Sequence, residues 1–211
     1  MMNLPKSTEV GRTVPKERFY EKESSTTKDY FVKNIEKIIW ANKISPTTLN
    51  ISSKTYPELQ VFKIYIKSID KKIKDIVRLM DGKIPYPVLF SIICKNEVKS
   101  IIAAKQVKEE KIVVIEQFEN DWQELKDFVL HLKGNRVDSI YENYMYQIEP
   151  DLQIGGSFEE NLTKYKQIKS LKAEIEKINR KIKKELSIDK KQELARSRNE
   201  LENRIKRMLL S

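Results

Sequence analysis

At 211 residues, with 39% apolar and 34% charged side chains, the chain is too apolar for disorder and long enough for one compact domain plus an appendage. Its single cysteine, Cys94, excludes an internal disulfide and fits a reducing compartment. One cysteine and one histidine, His131, cannot complete a zinc ligand set. A net charge of +10 and a pI near 9.4 fit a polyanionic partner, nucleic acid or acidic protein, without choosing between them.

Residues 1–25 read as an extended N-terminal arm. Pro5, Gly11 and Pro15 break it, and little apolar periodicity runs through it. The start Met1-Met2-Asn3-Leu4-Pro5-Lys6 lacks the apolar core of a signal peptide, and the longest apolar stretch, Val88 to Cys94, is too short for a bilayer. A cytoplasmic protein without a membrane span is expected. Thr26 and Asp29 make a capping-box signature for a helix over about 28–42, with Phe31, Ile35, Ile38 and Ile39 on one face and Ser45-Pro46 as its stop.

A strand follows at about 59–67, with Phe62, Ile64 and Ile66 on one side. A helix at about 69–80 carries Ile69, Ile73, Ile76, Val77 and Met80, and Gly82 ends it. Three strands at about 87–95, 98–107 and 111–118 are joined by Asn96-Glu97 and Lys108-Glu109-Glu110, so short that they form an antiparallel meander. Asp121 is a candidate cap for a helix at about 121–132, and Val137, Ile140, Tyr141, Tyr144 and Ile148 mark another at about 137–148.

Pro150 to Gly156 is a linker, and Ser157 with Glu160 opens a long helix. Residues 158–211 contain no glycine or proline. They hold 16 Lys/Arg against 9 Asp/Glu, a net of +7. Ile168, Leu171, Ile175, Ile178 and Ile182 form a heptad seam that one helix cannot bury alone. The seam breaks at Leu186-Ser187-Ile188-Asp189 and resumes at Leu194, Leu201, Ile205 and Leu209, so an antiparallel helical hairpin is expected, its first arm roughly 43 Å long. The predicted architecture is α+β: an arm (1–25), a core domain (26–149) with a small antiparallel sheet of about four strands packed with helices, a linker (150–157) and a basic coiled-coil hairpin (158–211).

Candidate chemistry is sparse. Asp81, Glu97 and Lys99 satisfy the loose D…E-x-K spacing of metal-dependent nucleases, but Asp81 closes a helix and Glu97 sits in a hairpin turn. No glycine-rich phosphate loop is present, and no metal or cofactor is expected. Lys183, Lys184, Lys190 and Lys191 at the hairpin tip, with Arg196, Arg198, Arg204 and Arg207 along the second arm, are candidate phosphate contacts. Interleaved acids favour a solvated helix surface instead. Tyr141, Tyr144 and Tyr146 suggest a base-stacking platform, but two of them belong to an apolar stripe and read as packing.

Several short segments, in order, carry a likeness. They are Leu4-Pro5-Lys6-Ser7-Thr8-Glu9-Val10, Val14-Pro15-Lys16, Phe19-Tyr20-Glu21-Lys22, Ile38-Ile39-Trp40, Ile44-Ser45-Pro46-Thr47-Thr48-Leu49-Asn50-Ile51 and Ile84-Pro85-Tyr86-Pro87-Val88-Leu89-Phe90. Together they resemble a bacterial and archaeal family of small proteins of unknown function. Its members are often encoded beside DNA methyltransferases and DEAD-box or Snf2-type helicases, in loci similar to type III restriction–modification and other phage-defence systems. The resemblance implies a neighbourhood and carries over no catalytic residue. The leading expectation is a non-catalytic accessory subunit docking to a methyltransferase or helicase. The hairpin and the arm, through Leu4, Pro5, Lys6, Thr8, Pro15 and Lys16, would be its contacts. Direct binding of DNA or RNA is the alternative, and a nuclease the third.

Overall fold

The computed structural model describes residues 4–108 and 111–210, which fall into two compact units, 1–150 and 151–211. In chain order the first unit contains a 3-10 turn (Lys6–Thr8), β1 (Glu9–Val14), α1 (Glu17–Tyr20), α2 (Ser25–Asn34), β2 (Ile35–Ile44), α3 (Pro46–Leu49) and β3 (Leu59–Ile66). There follow α4 (Ile73–Gly82), β4 (Val88–Cys94), β5 (Glu97–Lys108), β6 (Lys111–Glu119), β7 (Gln123–Glu124) and α5 (Val137–Ile148). The second unit holds the long helices α6 (Phe158–Lys184) and α7 (Ile188–Leu210).

The described strands form one seven-stranded sheet in the order β1-β2-β3-β4-β5-β6, with β7 pairing the start of β5. This is larger than the expected four strands, and it is mixed. The β4-β5-β6 meander is antiparallel as expected, but β3 and β4 run parallel, Phe62 opposite Phe90. Helix α4 is what makes that possible, since parallel neighbours need a crossover. Of the connection Lys108-Glu109-Glu110, the last two residues lie outside the described ones.

Alternation along the central strands builds two buried layers. Phe62, Ile64, Phe90, Ile92 and Ile101 pack with Phe31 of α2 and with Ile73, Ile76, Val77 and Met80 of α4. The intervening Val61, Leu89 and Ile102 are equally inaccessible on the opposite face, where α5 contributes Val137, Ile140, Tyr141 and Tyr144. At about 1.5–3 kcal/mol per fully buried large side chain, these layers supply the main force holding the unit together.

Three expectations require correction. Of the segment 1–25, the described residues 4–25 are not an extended arm: β1 pairs with β2, Thr13 opposite Ile39, and Phe19 is buried in the core. The helix expected over 28–42 stops at Asn34, capped at its start by Ser24, which accepts from the Thr27 amide at 3.3 Å. Ile35 to Ile44 is strand β2. The expected helix at 121–132 is the two-residue strand β7 followed by irregular chain, in which Phe128 and Leu130 are buried two residues apart.

Candidate docking site

Helix α6 starts at a reciprocal cap. Glu160 Oε2 accepts from the Ser157 amide at 2.8 Å, while Ser157 Oγ accepts from the Glu160 amide at 3.3 Å. Twenty-seven residues make it about 40 Å long. The three-residue loop 185–187 then reverses the chain, and α7 packs back along α6, giving the expected hairpin. Glu185 shapes this loop: its Oε1 accepts from the amides of Leu186 (2.9 Å) and Ser187 (3.0 Å). Those amides hold the Glu185 carboxyl below its ordinary pKa, with Lys190 and Lys191 acting in the same direction.

The two arms are unequally covered. Ile168, Leu171 and Ile178 of α6 are buried, and so is Asn161. No described residue of α7 is buried, although Leu194, Leu201, Ile205 and Met208 repeat on one stripe. Two helices alone shield a heptad seam on one side only. At the tip Leu186 is 92% and Ile188 71% exposed. Around them Lys183, Lys184 and Lys190 are exposed and Lys191 is half-buried. Farther along α7, Arg196, Arg204 and Arg207 are exposed. Arg198 is half-buried and pairs with Glu202 at 3.5 Å. A groove of about 580 Å³ where α6 meets α7 is lined by Lys181, Lys184 and Lys190, with Glu185, Glu193, Leu194 and Ser197. Opposite charges are interleaved, as the sequence indicates.

The nuclease constellation does not assemble. Asp81 is buried against Lys105, Oδ1 to Nζ 2.7 Å. Burial first, with Lys105 opposing it, moves the Asp81 carboxyl up to about 6, while burial lowers the Lys105 ammonium. Glu97 and Lys99 lie six to eight residues before Lys105 on β5, roughly 20–27 Å along the strand. Lys99 instead pairs with Glu119 at 3.4 Å, and Glu97 is exposed. Among the described residues no group of three His, Cys, Asp or Glu is placed to hold a metal.

The docking-arm residues divide. Thr8 is buried; its Oγ1 donates to Pro5 O (2.7 Å) and accepts from Asn42 Nδ2 (2.9 Å). Lys16 Nζ donates to the carbonyls of Phe31 (3.2 Å) and Ile35 (2.7 Å), where α2 gives way to β2. These two residues hold the fold together. Leu4 is half-buried, and Pro5, Lys6 and Pro15 are exposed. Tyr141 and Tyr144 are buried, as packing requires, and burial raises both phenols above their ordinary range. Cys94 is buried and His131 exposed. No described helix is long and apolar enough to cross a membrane.

The molecule is thus a mixed α/β body joined in sequence to a basic helical hairpin, in which Asp81 stands apart from Glu97 and Lys99. A family model described as a domain of unknown function, DUF4391, matches residues 2–205, and the chain belongs to that family. No curated protein and no solved structure matches it.

Proposed function

We propose that the protein is a non-catalytic docking subunit of a DNA methyltransferase–helicase assembly, and that its hairpin receives an acidic amphipathic helix of a partner subunit. The observation that carries this reading is the half-covered stripe of α7, Leu194, Leu201, Ile205 and Met208. A heptad surface with no buried side chain gains by recruiting another helix, in the helix-in-groove mode. Charge selects the occupant. The segment's net of +7 repels a second copy of itself and attracts an acidic helix, and Arg196, Arg204 and Arg207 lie exposed along the same arm. The kind of assembly follows from the resemblance to proteins encoded beside methyltransferases and helicases.

The test is co-purification from the native locus with the full-length chain. Arg196→Glu with Arg204→Glu keeps α7 helical, which circular dichroism checks. It should reduce recovery of the methyltransferase or helicase by about tenfold or more. Undiminished recovery with an intact helix would remove the hairpin as the docking element.

Nucleic acid is the second reading, favoured by the three lysines of the groove at the hairpin tip. Three phosphate contacts predict that affinity falls about 40-fold between roughly 50 and 200 mM salt. An affinity flat across that range, or no binding, would sink it.

A further inference from the structure

On the sheet face opposite α4, three polar side chains lie in one row across adjacent strands. Lys63 of β3 is in register with Ser91 of β4, and Ser91 with Ser100 of β5. Along β3, β4 and β5 the positions flanking the row, Val61, Leu89, Ile93, Val98 and Ile102, are apolar, so the row stands out. The hydroxyls of Ser91 and Ser100 are buried, 3% and 0% exposed as residues, and have no hydrogen-bond partner among the described residues. Buried hydroxyls are nearly always paired. Lys63, half-buried, makes no ion pair among the described residues. Lys63 and Ser91 line a half-enclosed cavity of about 30 Å³ together with Asn42, and Ile93, Val98, Leu125 and Phe128 complete its wall. Asn42 Nδ2 spends one hydrogen on Thr8 Oγ1 and keeps the other.

We infer that this cavity is a carboxylate-binding site, with Lys63 Nζ, Ser91 Oγ and Asn42 Nδ2 as donors. Size and charge both select the ligand. A water needs roughly 10–15 Å³ of such volume, so the cavity takes two to three water-sized groups, matching a carboxylate but not the four oxygens of a phosphate. A cation and two neutral donors lining one small cavity suit a single negative charge, and charge-assisted bonds of this kind are the strong ones. The apolar wall accommodates the carbon next to the carboxylate. The carboxylate belongs either to a small free acid or to a glutamate side chain of a partner.

The experiment is an amide NMR titration of the full-length protein with sodium acetate, against sodium chloride at equal ionic strength. Saturable shifts at Ser91, Val98 and Phe128 are expected with acetate alone. Affinity should weaken about tenfold or more in Lys63→Met and less in Ser91→Ala, both checked for an unchanged fold. A second titration with N-acetylglutamate N-methylamide separates the sources: binding of both compounds indicates a side chain, binding of acetate alone a free acid. Shifts that never saturate, equal shifts with chloride, or an unchanged affinity in a folded Lys63→Met would overturn the assignment.

Discussion

Lys105→Met should lower the unfolding free energy by about 3–5 kcal/mol at neutral pH, measured as a fall in the urea midpoint at constant slope. The Lys105 ammonium is 1% exposed and its partner carboxylate 2%. Besides Asp81 it donates to three backbone carbonyls, those of Asp81 (3.0 Å), Ile84 (3.2 Å) and Tyr86 (2.7 Å). It therefore fastens the end of α4 and the Pro85–Pro87 turn to β5. Methionine replaces the stem and leaves a buried carboxylate and the Ile84 and Tyr86 carbonyls without this donor, while the Asp81 carbonyl keeps the Ile84 amide at 3.3 Å. Adding Asp81→Leu should recover part of the loss, because no buried charge then remains. If the double variant is no better than the single one, the carbonyls and not the ion pair set the cost.

The pH dependence of this pair has a definite sign. Asp81 titrates higher folded than unfolded, so its contribution is fully present below its ordinary value of 3.8 and is lost as pH rises through about 6. Without Lys105 the carboxyl rises further. The penalty of Lys105→Met should consequently shrink near pH 4, where Asp81 holds its proton, and be largest near pH 7. A penalty independent of pH would contradict this.

Asp138→Ala should cost about 2–4 kcal/mol, and its pH behaviour should run the other way. Asp138, in the first turn of α5, accepts from the amides of Lys54 (2.7 Å), Thr55 (2.8 Å) and Tyr56 (3.4 Å), more than 80 residues earlier. The neighbouring Val137 amide reaches Ser52 O at 3.0 Å. This clamp ties the segment before β3 to the start of α5. Burial pushes the carboxyl up, but the amides outweigh it and hold it below its ordinary value. Its contribution is present above about 3.8 and is lost as pH falls through the lower folded value. Asp138→Asn keeps one acceptor and should cost about half as much. A loss below about 0.5 kcal/mol in Asp138→Ala would show that the segment 52–56 holds without it.

The elements written most plainly in the sequence are those with one unambiguous period. Strand β3 alternates, α5 repeats at helical spacing from Val137 to Ile148, and the capped heptads of α6 and α7 leave no competing reading. Strand β2 was harder. Ile35, Ile38 and Ile39 satisfy a helical stripe, while the strand buries Ile35, Ile38, Ala41 and Ile44 with a register shift at Trp40/Asn42. Its run of β-branched isoleucines was the available clue. Strand β1 carries too few apolar residues to show itself, because its pairing to β2 is made by the backbone. The basic hairpin was legible as composition. The Asp81–Lys105 pair and the row Lys63–Ser91–Ser100 were not, since each depends on strand register and on residues distant in sequence.

Strand β1 also bears on how the protein behaves in concentrated solution. As a terminal strand of the sheet it offers one unpaired backbone edge, the usual template for fibril growth. Its register slips between Glu9 and Arg12, where Gly11 adopts φ +64°, and every residue from Gly11 to Thr13 is exposed with a charge among them. An irregular, charged rim gives an incoming strand no continuous ladder to extend. A wide sheet can thereby stay dispersed without a helix covering that border.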